Sequence, residues 1–390
     1  MSCKRVFLIV LDSFGVGALP DAEKFGDTAD SNTLKACFET GILNIPNMIK
    51  LGISNIPGVN YLKTPLKQTG ACFRAAEKSM GKDTTTGHWE IAGIISKKPF
   101  PTFKNGFPEE IINEIKAQTK RGVLCNKPYS GTEVIKDYGD EHERTGDLII
   151  YTSADSVMQI AADEKIVPVE KLYEYCMMAR KILCGKNAVG RVIARPFILK
   201  DGSYVRTANR RDFSLQPPEK TMLDFINESG KDVISVGKIF DIFSGRGITK
   251  AFKTHSNDEG MSQTLKLADE HISGICFTNL VDFDMLYGHR NDAVGYAKAL
   301  NRFDNWLGEF LKKLSKDDLL IITADHGCDP SDVSTDHTRE YIPILVYGDS
   351  IVPGGYGTLD TYADIGASVC DYLNVKYSGS GKSFMGRITG

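Results

Sequence analysis

The sequence predicts an α/β protein: a mostly parallel sheet covered by helices, with a smaller α/β domain inserted into it. Three observations carry this expectation. Apolar runs of strand length alternate with stretches of helical periodicity. Three of those runs, one near the start of the chain and two in its last third, stop on acidic residues. Prolines at 99 and 101, and again at 217 and 218, stand about 120 residues apart and bracket a domain-sized stretch.

Val6 to Leu11 reads as a strand that stops on Asp12 and enters the loop Gly15-Val16-Gly17. A mixed stretch without strong periodicity leads to the polar loop Gly81 to Gly87, followed by His88-Trp89-Glu90. Pro108 to Thr119 reads as a helix, with Ile111, Ile112 and Ile115 on one face. Leu148 to Thr152 is a strand ending at Ser153-Ala154-Asp155, Val169 to Leu183 a helix, and Arg191 to Arg195 a strand. Beyond the second proline pair, Asp232 to Gly237 is a strand, and Ile275 to Val281 runs into Asp282-Phe283-Asp284. Asp292 to Ser315 is the clearest helix, with Leu300, Phe303, Leu307, Phe310 and Leu314 at helical spacing. Leu319 to Ala324 is a strand stopping on Asp325-His326; Ile342 to Val346 is a strand and Thr361 to Leu373 a helix. The expected division is a core of residues 1–99 and 218–390 with residues 100–217 inserted as a cap.

Composition excludes several classes. The chain has 390 residues, is 42% apolar and 25% charged, and carries a net charge of -3. Nothing there suggests nucleic acid or an acidic membrane surface as a partner. Its nine cysteines include no Cys-x-x-Cys pair, which favours free thiols in a reducing compartment. Lys4-Arg5 precede an apolar run, but Asp12 ends that run without a small-residue cleavage site. No stretch approaches the ~20 apolar residues of a membrane span. A soluble cytoplasmic protein is the expectation, and the oligomeric state stays open.

Strands of a parallel sheet deliver functional groups at their carboxyl ends. The runs ending at Asp12, Asp284 and Asp325 should therefore converge on one cleft, with His289, His326 and His337 following two of them. Singly, a strand-end Asp more often caps a helix or turn, and a lone His is more often a surface or core residue. Jointly they mean more. Two carboxylates ~4 Å apart repel by roughly 4 kcal/mol at an effective dielectric near 20, so three in one cleft need protons or cations. Imidazoles beside them favour a transition metal, and six ligands suit two ions with three each. Such a pair attracts phosphate. Asp325 and His326 are neighbours and reach one ion only if the strand ends at Asp325, a turn that Gly327 favours.

Gly81-Lys82-Asp83-Thr84-Thr85-Thr86-Gly87 is a candidate nucleophile loop, with a plain helix N-cap as the alternative. It is not a P-loop, because Asp83 follows Lys82 and Ala76 stands where the first Gly belongs. Gly15-Val16-Gly17 is not a dinucleotide fingerprint, since Pro20 replaces the third Gly. The insert carries Arg191, Arg195, Arg206, Arg210 and Arg211: a solvated basic face, or bidentate partners for a substrate phosphate. Asp155, near Ser153, has the chemistry to accept from sugar hydroxyls.

Gly81 to Thr84, Thr86 to Glu90, Tyr151 to Ser156, Gly190 to Phe197, Asn279 to Asp284, Thr323 to Gly327 and Thr335 to Glu340 together resemble the bacterial phosphopentomutases of the alkaline phosphatase superfamily. The resemblance covers essentially the whole chain and implies an alkaline-phosphatase-like core with a cap. It implies two Mn2+ ions, one held by Asp12, Asp325 and His326, the other by Asp284, His289 and His337. Thr84 matches the position that carries the phosphoryl group. Ser153, Asp155, Val157, Arg191, Ile193, Arg206 and Lys238 match substrate-contacting positions. The implied activity interconverts (deoxy)ribose 1-phosphate and 5-phosphate through a phosphothreonine and a sugar bisphosphate, with a sugar bisphosphate as activating primer and a cap that excludes water. A metal-dependent phosphatase on the same core is the nearest competitor. A phosphoglycerate mutase would be expected to use Ser, and a non-catalytic metal-binding module needs no hydroxyl loop. Cys328 departs from the family's pattern, where relatives usually carry Asn; a thiol so near the metals is expected to make the site sensitive to oxidation.

Overall fold

A computed structural model describes residues 4–153 and 155–390; Ala154, named above, and Cys3, one of the nine cysteines, lie outside the described residues. The chain forms two compact units, one from the residues up to Lys98 with Pro217–Gly390, the other from Pro99–Gln216. In chain order the strands are β1 (Arg5–Leu11), β2 (Ala71–Ala75), β3 (Val123–Pro128), β4 (Leu148–Thr152), β5 (Val157–Asp163), β6 (Arg191–Lys200), β7 (Ser203–Arg206), β8 (Arg211–Ser214), β9 (Asp232–Val236), β10 (Lys250–Phe252), β11 (Gly274–Leu280), β12 (Asp318–Thr323), β13 (Ile342–Tyr347) and β14 (Gly354–Leu359).

The first unit holds an eight-stranded sheet in the order β10-β9-β11-β1-β12-β13-β2-β14. It is parallel except where β13 runs against both β12 and β2. β1 is central, and Val6 to Leu11 are fully buried, which is why that stretch reads as an unbroken apolar run instead of an alternating one. Its register aligns Leu11 with Leu280 of β11 and Val10 with Thr323 of β12, so the three chain segments that follow leave the sheet at one edge. At the opposite edge Arg5 donates twice to the Asp318 carboxylate, at 2.7 Å each, fixing β1 against β12.

Two elements differ from expectation. The helix expected over 292–315 spans Ala293–Phe310 and tightens through Leu311–Lys313. It stops because the Asp318 carboxylate takes the Ser315 N–H at 2.7 Å, turning the chain towards β12. The stretch between Asp12 and Gly81, which shows no period, contains the short helices Thr33–Glu39 and Pro46–Leu51 and the inner strand β2.

The second unit holds a mixed sheet, β3-β4-β5-β6-β7, with β8 also on β6. Alternation along β4 sends Leu148 and Ile150 to a cluster with Ile111, Ile112, Ile115 and Leu172, and sends Ile149 and Tyr151 to one with Val134, Ile135 and Phe197. β6 runs past Arg195 to Lys200 through Pro196. Pro196 falls between the last residue paired to β8 and the first paired to β7, where no neighbour requires its missing N–H. No described helix is long and apolar enough to cross a membrane.

Candidate metal centre and nucleophile

Asp12 follows β1 directly, and its N–H donates to Leu280 O at 3.2 Å. Ser13 adopts a left-handed conformation (φ 72°), which costs a non-glycine residue strain, and aims its N–H at Asp325 Oδ1 at 3.0 Å. β12 ends at Thr323, not at Asp325 as expected from sequence, so strand alternation no longer separates Asp325 from His326. Gly327 then pairs with Thr338 through two hydrogen bonds of 3.1 and 2.8 Å. A Cβ on Gly327 would lie 2.4 Å from Glu340 Oε1; close approach, not a left-handed turn, is what demands glycine there.

These turns gather two groups of side chains. In the first, His326 Nε2 lies 3.5 Å from Asp12 Oδ1 and 3.3 Å from Asp325 Oδ2, and all three residues are buried. In the second, the wide turn Phe283–Tyr287 carries Asp284, whose Oδ2 lies 3.3 Å from His289 Nε2 and whose Oδ1 lies 3.3 Å from His337 Nε2. The two imidazole Nε2 atoms are 3.1 Å apart. The His326 and His337 rings stack at 3.8 Å, so the groups adjoin.

Each histidine is oriented in the same way. His326 Nδ1 faces Gly327 O at 3.0 Å, His289 Nδ1 faces Thr335 O at 2.6 Å, and His337 Nδ1 faces Lys82 O at 2.9 Å. A ring nitrogen against a carbonyl oxygen donates, so Nδ1 carries the proton and Nε2 keeps its lone pair for a ligand. The carboxylates complement this. Asp12 Oδ1, Asp284 Oδ1 and Asp325 Oδ2 are buried without a hydrogen-bond partner among the described residues. Asp12 Oδ2, by contrast, is held by Asn279 Nδ2 at 3.0 Å. Bare carboxylate oxygens aimed at imidazole lone pairs are the donor set of a divalent transition-metal site, and the residues fit two such ions.

Electrostatics gives the same answer. Burial, and then the Asp325 carboxylate, push Asp12 up to about 6. Burial also opposes the charged forms of Asp284 and Asp325. The imidazoles of His337 and His289 nevertheless hold Asp284 well below the usual carboxylate range, and those of His326 and His88 do the same for Asp325. His289 is raised to about 9, first by its hydrogen bond to Asp284.

Thr84 is half-buried and opens the helix Thr84–Ile91. The loop and the cap are therefore one structure. Asp83 caps the helix, accepting from Thr86 N at 3.1 Å, and leaves Thr84 Oγ1 free to lie 3.2 Å from His326 Nε2. The first amides of a helix favour an anion at that hydroxyl. Lys82 Nζ is turned away to Asp27 (2.7 Å) and Asp336 (3.3 Å).

Sequence reasoning missed three residues here. His88, fully buried, places Nδ1 2.9 Å from Thr84 O and 3.1 Å from Asp325 Oδ2. Its place four residues after Thr84 on one helix face was an available signal. Asn279 lies between Asp12 and His88 but is hidden inside an apolar run. Arg339 donates to Ser79 O at 2.7 Å and Gly81 O at 2.6 Å, fixing the approach to Thr84.

The second unit has its own concave pocket of about 400 Å³, lined by Ser153, Asp155, Val157, Arg191, Ile193 and Arg206 together with Tyr129, Gln159, Arg195 and Arg210. Alternation on β6 puts 191, 193 and 195 on one face. Arg210 pairs with Asp212 through two bonds of 2.8 Å, and Arg191 lies 3.6 Å from Asp212 and 3.9 Å from Asp155. Arg211 does not join them; it lies over the rings of Tyr173 and Phe213 at 5.1 and 5.2 Å. Lys238 belongs to the first unit, its Nζ 4.0 Å from Asp12 Oδ2.

Comparison with known proteins adds the following. The family model of the Metalloenzyme superfamily matches residues 4–377. A phosphopentomutase of Lachnoclostridium phytofermentans is 55% identical over 98% of this chain and 98% of its own. One from Caldanaerobacter subterraneus subsp. tengcongensis is 56% identical over 98% of this chain and 97% of its own, and one from Clostridioides difficile is 55% identical over 98% and 99%.

Proposed function

The chain belongs to the phosphopentomutase family of the Metalloenzyme superfamily, and from that premise we propose how its residues move a phosphoryl group between two oxygens of a pentose. The protein is a metal-dependent isomerase acting on pentose phosphates. The finer reading is that it interconverts (deoxy)ribose 1-phosphate and 5-phosphate through phosphorylated Thr84 and a sugar bisphosphate. The observation that carries it is the Thr84 hydroxyl at a helix N-terminus, 3.2 Å from His326 Nε2 and beside the bare carboxylate oxygens.

Asp12, Asp325 and His326 would hold one Mn2+, and Asp284, His289 and His337 the other. Bound there, the pair would supply Lewis-acid stabilisation of the charge on a transferring phosphoryl group. The chain's own residues do the rest. Thr84 carries the phosphoryl group, and the amides opening its helix favour the negative charge. His88 Nδ1 holds the Thr84 carbonyl, fixing the backbone that carries the hydroxyl. In the first transfer the Oγ1–P bond breaks as a bond from phosphorus to the free sugar hydroxyl oxygen forms, and that hydroxyl loses its proton. In the second, the other phosphate of the bisphosphate returns to Oγ1 by the reverse of that step. Phosphoryl groups and protons therefore balance over the cycle. A sugar bisphosphate primes Thr84 that has lost its group. The arginines of the second unit's pocket would bind a pentose phosphate through its phosphate, with Ser153 and Asp155 for sugar hydroxyls; Lys238 adds a cation beside Asp12.

Thr84→Ala tests this. Isomerisation of ribose 1-phosphate with Mn2+ and a bisphosphate primer should fall on the order of 10⁴-fold or more, and the intact protein should no longer take up one phosphoryl mass from the primer. Near-normal isomerisation by the variant would sink the mechanism.

A further inference from the structure

We propose that Cys328 is a further ligand of the second centre, which, read above as a Mn2+ site from the family pattern, is in this chain tilted by the sulfur towards thiophilic divalent ions such as Zn2+ or Co2+. The inference rests on the reading of Asp284 and His289 as ligands given above.

Three observations carry it. The Cys328 sulfur, an Asp284 carboxylate oxygen and a His289 ring nitrogen all lie within 4.8 Å of one another. Ligand atoms held at ~2.0–2.3 Å from one ion stand no further apart than roughly 4.5 Å, so only a small closure separates this arrangement from coordination. Asp284 is 4% exposed, and its Oδ1 is buried with no hydrogen-bond partner among the described residues. An oxygen left bare in such a place is waiting for a ligand. The third observation is room. A Cβ on Gly288, the residue before His289, would lie 3.0 Å from both Cβ and Sγ of Cys328. Glycine at 288 is thus what lets the sulfur pack against the backbone that carries His289.

The sulfur has little to lose by turning to a metal. Its one hydrogen bond among the described residues runs to Asp336 O at 3.5 Å, a weak S–H contact. The Cys328 N–H, donating to Thr33 Oγ1 at 3.1 Å, is a separate anchor that stays in place. Binding forms a metal–sulfur bond and releases the thiol proton to solvent, with no change of oxidation state. A thiolate shifts the donor set from oxygen and nitrogen towards sulfur, and that shift favours zinc and cobalt over manganese. Cysteine at this position thus makes the second centre a site of metal choice.

The metal-stripped full-length protein, titrated with Co2+ under reducing conditions and followed by absorption, tests the proposal. Native protein should develop visible d–d bands together with a near-ultraviolet sulfur-to-cobalt charge-transfer band. Cys328→Asn and Cys328→Ser should keep the d–d bands, lose the charge-transfer band, and require at least about tenfold more Zn2+ to displace Mn2+. Variants that take up as many Co2+ ions per chain as native protein in the same titration show that the second centre still forms. Native d–d bands without charge transfer, or a charge-transfer band that survives in both variants, would overturn Cys328 as a ligand and leave the metal centre standing. Absence of d–d bands in native protein would overturn the centre and this inference with it.

Discussion

Replacing Arg339 by Met should destabilise the first unit by about 3–5 kcal/mol, the cost of breaking a buried ion pair from one side. The Arg339 and Glu77 side chains are each 2% exposed and meet at 2.8 Å. The same guanidinium reaches Ser79 O at 2.7 Å, Gly81 O at 2.6 Å, Glu77 O at 2.9 Å and the Asp21 carboxylate at 3.2 and 3.3 Å, and it lies 4.2 Å over the Phe25 ring. Truncation leaves Glu77 without its cation. Burial already pushes the Glu77 carboxyl well above its ordinary range, so it takes up a proton, which limits the loss. The carbonyls of 77, 79 and 81 each forfeit a donor, worth about 1–3 kcal/mol apiece if water does not replace it, and these terms overlap instead of adding. Urea unfolding followed by tryptophan fluorescence reads the right unit, because both tryptophans, Trp89 and Trp306, lie in it. A Glu77→Gln/Arg339→Met pair removes the orphaned charge and should recover about 0.5–3 kcal/mol relative to simple addition of the two single losses. Catalysis should fall mainly in kcat, since a shift of about 1 Å at Thr84 costs on the order of 10²-fold. A loss below about 1 kcal/mol for Arg339→Met, the range of an exposed pair, or strict additivity in the double variant, would refute the reasoning.

Two further outcomes follow from the second unit. Buried His142 donates from Nδ1 to Asp147 O at 2.6 Å and accepts at Nε2 from Asp163 N at 2.9 Å, and burial lowers its pKa from the ordinary 6.5. The unfolded chain therefore takes the proton first as pH falls, so this contribution is complete above about 6.5 and is lost as pH drops through the lower folded value. Hydrogen exchange of the β4 and β5 amides should show that loss in native protein and a flatter response in His142→Asn; equal pH dependence in the two would rule it out. Arg206→Ala should raise KM for pentose phosphate at least about tenfold, as loss of a charge-assisted phosphate contact does. Arg211→Ala, which removes only a contact with Tyr173 and Phe213, should leave KM unchanged; equal effects of the two would contradict the assignment of the pocket.

What was legible in the sequence was whatever a one-dimensional period encodes. Asp12, Asp284 and Asp325 stand out because fully buried strands spell continuous apolar runs, and a charge marks where burial stops. The Asp325-His326 pair was harder. Its two side chains share a side because β12 ends at Thr323, and that break depends on Glu340 packing beneath Gly327. Asn279 was invisible because it occupies a strand position whose polarity matters only through Asp12, 267 residues away. β2 escaped notice because Arg74, which donates to Pro57 O and Thr358, interrupts its apolar pattern. Arg210 and Arg211 are neighbours of identical chemistry, and only the path of the chain into β8 sends one to Asp212 and the other to Tyr173.

The orientation of His337 ties it to the loop that carries Thr84. Nδ1 of His337 is held by Lys82 O, two residues before Thr84, while Lys82 Nζ reaches Asp336, the residue before His337. Asp27 joins the same two segments, accepting from Lys82 Nζ and from the Arg339 N–H, each at 2.7 Å. Arg339 closes the circuit on Ser79 O and Gly81 O. Residues 79–84 and 336–339 are therefore one mount, tied by four direct contacts between segments about 250 residues apart and bridged by Asp27. His337 and the Thr84 hydroxyl therefore cannot shift independently. For the transfer proposed above, where catalysis is mostly position and charge, this coupling matters more than any single distance at the site, and it ties the motif around His337 to Arg339.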